Sequence, residues 1–174
     1  MNPAGTTDAQ QILDHPAVRR VAGALAAAGA AGRIVVLAEH ARTAAAAAEQ
    51  LGVGVAQIAN SLVFAVTDPA AATGRRHVLV MTSGVHRVDV AKVAALLGVP
   101  RLDRADADFV REITGFVIGG VPPVAHLTRP QTLIDVTLAE HGEVWAAAGH
   151  ARTVFPTSFA ELLALTEGTP AQVA

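Results

Sequence analysis

The run Gly119-Gly120-Val121-Pro122-Pro123 is the segment of this chain best suited to chemistry. Two glycines open backbone geometries closed to other residues, so exposed N–H groups there can face a developing oxyanion. The two prolines that follow stiffen the loop and remove competing donors. The same run reads equally as a tight turn, and the pattern alone leaves both readings open. It is not a phosphate loop, because neither G-x-x-x-x-G-K-[ST] nor a post-strand G-x-G-x-x-G occurs. Asp135 lies in the apolar pattern Leu133-Ile134-Asp135-Val136. A carboxylate buried alone is costly, so Asp135 must be paired, hydrogen-bonded or functional. His40 follows a strand end and precedes a helix start, a common place for site residues, although a surface histidine fits there too. The other histidines, at 15, 77, 86, 126, 141 and 150, show no H-E-x-x-H or comparable spacing, and no metal site is expected. Ser61 and Ser83 lack a G-x-S-x-G elbow, which argues against a serine hydrolase. The absence of cysteine removes a thiol nucleophile, zinc–thiolate sites, iron–sulfur clusters and disulfides together.

The elements that must position these residues are legible in part. Residues 1–13 are polar and read as a flexible N-terminal tail, and Asp14 reads as the N-cap of a helix with Pro16 in its first turn. Arg33 to Leu37 predicts a short strand, and Thr43 predicts the N-cap of an alanine-rich helix over 44–51. Strands are predicted over 60–66 and 77–82, then helices after Asp89 and over 107–114. Short strands at 132–136, 144–147 and 152–155 precede a helix opened by a Ser158/Glu161 capping box. Phe64 and Trp145 read as core, and residues 169–174 as a C-terminal tail. Helices and strands interleave without strict alternation, which favours a mixed-sheet α/β or α+β domain over a doubly wound parallel sheet.

Composition narrows the class. At 174 residues the chain suits one domain. Its 52% hydrophobic content is inflated by alanine, with only 3% aromatic residues, and the net charge of −2 rules out disorder driven by charge. Weak acidity argues against a long nucleic-acid footprint, so only a short segment of any nucleic acid should be gripped. No basic-then-apolar leader and no 18-residue apolar run occurs, pointing to a soluble, cytoplasmic protein with no membrane partner.

Several motifs then occur in a telling order. They are Ile58-Ala59-Asn60-Ser61-Leu62-Val63-Phe64, Arg87-Val88-Asp89, Thr114-Gly115, the Gly119–Pro123 run, Asp135, and Trp145-Ala146-Ala147-Ala148-Gly149. In order and spacing the chain resembles the YbaK/ProX/EbsC family of aminoacyl-tRNA deacylases, which includes free-standing relatives of the prolyl-tRNA synthetase editing domain. The resemblance runs from about His15 to Thr166. It implies a single compact α/β (α+β) domain, here 14–168, with a mixed, barrel-like β-sheet and surrounding helices. The implied activity is trans-editing, in which the ester joining a small wrong amino acid to a tRNA is hydrolysed. Such a step is needed because a synthetase pocket rejects a smaller side chain by only about 1–3 kcal/mol.

The resemblance implies no cofactor, no metal and no protein nucleophile. Its implied partners are the tRNA acceptor end and, for delivery, an aminoacyl-tRNA synthetase. By position it makes Gly119, Gly120 and Asn60 the catalytic residues. Ser61, His40, Asp135, Val121 and Pro122 would bind substrate. The family carries Lys where this chain has Asn60, and the chain's one lysine, Lys92, sits in a helix pattern elsewhere. Asn keeps hydrogen-bond donors but loses the charge, and a charge-assisted bond is roughly twice as strong as a neutral one. Arg42, Arg75 and Arg87 are the candidates to restore it. Asn60 leaves open two alternatives to an active deacylase: a module that binds a tRNA 3′ end or an aminoacyl-like ligand without efficient hydrolysis, and a small-molecule hydrolase or binding protein.

Overall fold

The long apolar segments of this chain form the centre of one mixed sheet, seen in a computed structural model that describes residues 3–174. The strands are β1 (Val35–Val36), β2 (Ile58–Thr67), β3 (Arg75–Ser83), β4 (Asp103–Arg104), β5 (Gln131–Asp135), β6 (Val144–Ala147), β7 (Thr153–Thr157) and β8 (Thr169–Ala171). Around them lie α1 (Pro3–Leu13), α2 (Pro16–Ala27), α3 (Ala44–Leu51), α4 (Val90–Leu97), α5 (Ala107–Thr114) and α6 (Phe159–Thr166). The order across the sheet is β1-β7-β6-β2-β3-β5-β8, with β4 also paired to β2. The hairpin β2–β3 is antiparallel from Ala59 opposite Ser83 to Thr67 opposite Arg75. Parallel pairs, β6 on β2 and β5 on β3, flank it. The architecture is therefore the mixed α/β domain that the interleaved pattern implied.

Strand β3 shows why the sheet is buried on both sides. Val78, Leu79, Val80 and Met81 are all fully buried. Leu79 and Met81 join the main core with Val21 and Leu25 of α2, Phe109 and Ile113 of α5, and Leu162 of α6. Val78 and Val80 point the other way, into a cluster with Val93 of α4, Leu133 and Val173. Successive side chains of a strand alternate faces, so a strand covered on both reads as an unbroken apolar run. No helix among the described residues is long and apolar enough to cross a membrane.

Local capping signals translate well. The side chains of Thr43, Asp89, Asp106 and Ser158 each accept a hydrogen bond from the N–H three residues on, satisfying an orphan donor of the first turn. Three expectations change. Asp14 does not cap α2: its N–H bonds back to Gln10 O, so it closes α1, and His15 Nδ1 accepts from Ala17 N–H instead. The Ser158/Glu161 box is half formed, because the Glu161 carboxylate accepts from Thr157 Oγ1 and Ala31 N–H. The two tails are also structured. Residues 3–13 form α1, with Ile12 buried and Asp8 paired with Arg152 at 2.7 Å. Residues 169–171 form β8 parallel to β5, and Val173 is fully buried. Neither segment carries a periodic apolar face, so only its partners reveal it.

If Val173 is a core residue, Val173→Ala should cost about 1–3 kcal/mol, read as a fall in Tm of roughly 3–9 °C. A C-terminal tail would leave the melting curve unchanged.

Candidate active site

Helix α5 delivers the glycine–proline loop to the sheet through a set of fixed anchors. The helix ends at Gly115, where Thr114 Oγ1 donates to Val110 O and accepts from Phe116 N–H. Phe116 is buried beneath the Arg20 guanidinium, which also donates to Thr114 O. Within the loop, Gly120 N–H donates to Val117 O, Gly120 O accepts from Gly149 N–H, and Pro122 O accepts from His126 Nε2 at 2.7 Å. A Cβ on Gly120 would come within 2.9 Å of the His150 backbone, so the loop packs here as only glycine permits. These bonds leave Gly119 N–H and Val121 N–H without a hydrogen-bond partner among the described residues. Gly119 has φ +96°, a left-handed conformation that favours glycine.

Two concavities meet along this loop and β2. The larger, about 670 Å³, is lined by Asn60 to Phe64, Thr82, His86, Arg87, Arg104 and the loop residues Ile118, Gly119 and Val121, among others. The second, about 360 Å³, lies beside Arg42, Thr43 and Trp145. Asn60, Ser61, Leu62, Ile118, Gly119 and Val121 line both.

The structure thus gathers four sequence-predicted site residues, Asn60, Ser61, Gly119 and Val121, around one junction. The Asn60 carboxamide makes no hydrogen bond to the described residues, and Ser61 Oγ lies 3.2 Å from the Met81 sulfur. His40 lines neither cavity, although a Cβ on Gly119 would meet its Nε2 at 3.9 Å. Three expected contributors stand behind the wall. Gly120 and Pro122 are buried and spend their polar groups on anchoring the loop, and Asp135 is 1% exposed and lines neither cavity. Phe64 and Trp145, read as core, instead each line a cavity while packing against a core cluster at the edge. Of the candidate cations, Arg87 lines the larger cavity and Arg42 the second, whereas Arg75 lies over the Phe109 ring. Lys92 donates to Ala174 O, away from both.

Asp135 has a definite role in the wall. Its carboxylate accepts five hydrogen bonds: from Thr137 N–H and Oγ1, Ser83 N–H, Thr82 Oγ1, and His86 Nδ1 at 2.8 Å. Burial pushes the carboxyl pKa up, but the hydrogen bonds from Thr137, His86 and Ser83 outweigh it and hold the group below its ordinary value. An ionised Asp135 can only accept, so Nδ1 of His86 carries the hydrogen. No sequence motif marks His86. Its one signal is its place just past Gly84, in the turn that ends β3.

Comparison with known proteins now decides the family. The family profile of the aminoacyl-tRNA editing domain matches residues 38–165. This chain belongs to that family. The chain is 42% identical to the solved structure of a candidate trans-editing enzyme for prolyl tRNA synthetase, with a TM-score of 0.82 over 91% of this chain and 96% of the other. A scaffold protein used for computational epitope grafting is 39% identical, also at a TM-score of 0.82, over 91% of this chain and 97% of that one. A hypothetical protein of known structure is 29% identical, at a TM-score of 0.76, over 88% of this chain and 98% of that one. Among the described residues, no group of three or more His, Asp or Glu side chains could hold a metal ion.

A histidine pair braces the editing domain's loop from behind. Because Pro122 O can only accept, His126 Nε2 carries a hydrogen, and His126 Nδ1 accepts from His77 Nε2 at 3.1 Å. The rings stack with centroids 5.4 Å apart. Burial, then the neighbouring His126, lowers the His77 pKa from 6.5 to about 4. Burial also lowers that of His126. A histidine held neutral in the folded state but free to protonate when unfolded stabilises the fold above pH 6.5. That contribution is lost as pH falls towards 4. Urea unfolding followed from pH 7 to pH 4 should therefore show a loss of roughly 3 kcal/mol attributable to His77. His77→Leu should flatten that slope, and an unchanged slope would remove His77 as its source.

Proposed function

We propose that this protein hydrolyses the ester of a tRNA mischarged with a small amino acid, acting in trans. The observation that carries the reading is the pair of unbonded amides, Gly119 N–H and Val121 N–H, at the junction of two cavities. An ester carbonyl laid against them would meet donors already oriented for the oxyanion of a tetrahedral intermediate, with no reorganisation at the moment of reaction. The carboxamide of Asn60, facing the same junction, supplies a further neutral donor. The aminoacyl group would occupy the larger cavity. The terminal adenosine would enter the second, where Trp145 offers an aromatic face and Arg42 a charge for phosphate. The family profile and the likeness to a candidate trans-editing enzyme for prolyl tRNA synthetase support the same substrate class.

Asn60 favours a second reading, a module that binds the tRNA end with little hydrolysis. Incubating the purified protein with a panel of mischarged tRNAs and following ester loss separates the two. Turnover on one or more supports the deacylase, and tight binding to the tRNA end without turnover on any supports the second reading.

Restoring a charge should help if the substrate lies as described. Asn60→Lys is expected to raise kcat/KM about tenfold, the difference between a neutral and a charge-assisted hydrogen bond. A fall in activity would mean that the junction is tuned to the neutral side chain. The two glycines should separate as well. Gly120→Ala, pressed against the His150 backbone, should mainly lower Tm. Gly119→Ala, with only an ordinary contact to the His40 ring but a left-handed φ, should mainly lower kcat, by about tenfold or more.

A further inference from the structure

We propose that His86 is the proton-transferring residue of the deacylation and that Asp135 is its positioning residue. The inference rests on the deacylase reading and adds to it a protein group that moves the proton. Asp135 is buried and ionised, and it takes the Nδ1 hydrogen of His86 at 2.8 Å. The carboxylate cannot swing away, because Thr82, Ser83 and Thr137 hold both of its oxygens. This fixes the tautomer. In the neutral ring the lone pair resides on Nε2, across the ring from the carboxylate. Nε2 has no hydrogen-bond partner among the described residues, and the side chain is 31% exposed. His86 lines the same cavity as Asn60, Thr82 and Gly119, the chamber in which the ester would lie. A base whose other nitrogen is held by a buried carboxylate is the arrangement that orients an imidazole and stabilises its protonated form.

The step balances without a cofactor. A water oxygen bonds to the ester carbonyl carbon while one water proton passes to His86 Nε2. The carbonyl π pair moves onto oxygen, and the resulting oxyanion is held by Gly119 N–H and Val121 N–H. The intermediate then collapses: the C=O bond re-forms, the bond from carbon to the ribose oxygen breaks, and the imidazolium returns its proton to that oxygen. The products are the free amino acid and a tRNA with its terminal hydroxyl restored. His86 ends neutral.

The test uses the full chain and the mischarged tRNA that the wild-type protein hydrolyses fastest. His86→Gln and His86→Ala should each lower kcat by about a hundredfold or more, with KM within threefold of wild type and Tm retained. Added imidazole should restore part of the kcat of His86→Ala. Asp135→Asn should also lower kcat, without rescue by imidazole. A kcat within threefold of wild type in both His86 variants overturns the proposal and leaves the deacylase reading standing. So does a loss that imidazole does not relieve and that tracks a fall in Tm. A wild-type protein that hydrolyses no mischarged tRNA overturns both.

Discussion

The buried carboxylate of Asp135 is the constraint around which the rest of the site is arranged. A charge removed from water must be met by hydrogen bonds or lose its ionisation. Here five donors meet it, and they come from three places: the end of β3, the turn that follows β3, and the residue two positions beyond β5. The same contacts that satisfy the charge therefore clamp β3 to β5 at the end of their parallel pairing and fix the rotation of the His86 ring. One electrostatic requirement thus sets both the local geometry of the sheet and the wall of the cavity.

The loop opposite this requirement is governed by hydrogen-bond accounting of another kind. Residues 114–126 contain two prolines and three glycines and join no strand, so every amide needs a partner of its own or must face solvent or ligand. Thr114 Oγ1 takes the N–H of Phe116, while Gly149 N–H and His126 Nε2 donate to the carbonyls of Gly120 and Pro122. The N–H groups left unbonded include those of Gly119 and Val121, residues that line both cavities. The histidine pair behind Pro122 keeps its neutral tautomers by exclusion from water, so the loop is held by directed bonds rather than by charge. Rigidity at the back and unpaired donors at the front together make a surface that can wait for a carbonyl.

Legibility in the sequence followed the range of the interactions. The capping residues Thr43, Asp89 and Ser158 act on amides three positions away, so a local pattern captures them. The hairpin β2–β3 is likewise a near-neighbour pairing of apolar runs. Asp14 fails as a cap because a helix the pattern did not suggest ends on it. The C-terminal strand escapes because its partner, β5, lies more than thirty residues earlier and supplies the extended conformation. Chemical type carries less: Leu133-Ile134-Asp135-Val136 marks a buried carboxylate that needs partners, but its place behind the wall, with His86 in front, depends on which strands lie side by side.

By itself the sequence determined the mixed α/β class, the starts of α3, α4 and α6, the glycine–proline loop and the membership of the editing family, because each rests on residue types at short or fixed spacing. Tertiary structure alone decided which loop amides stay unbonded, which residues share the cavity junction, and that His86 answers to Asp135 across forty-nine residues of chain. Those outcomes depend on the β3–β5 pairing and on the packing of Gly120 against His150, contacts whose partners are distant in sequence and which no local periodicity encodes.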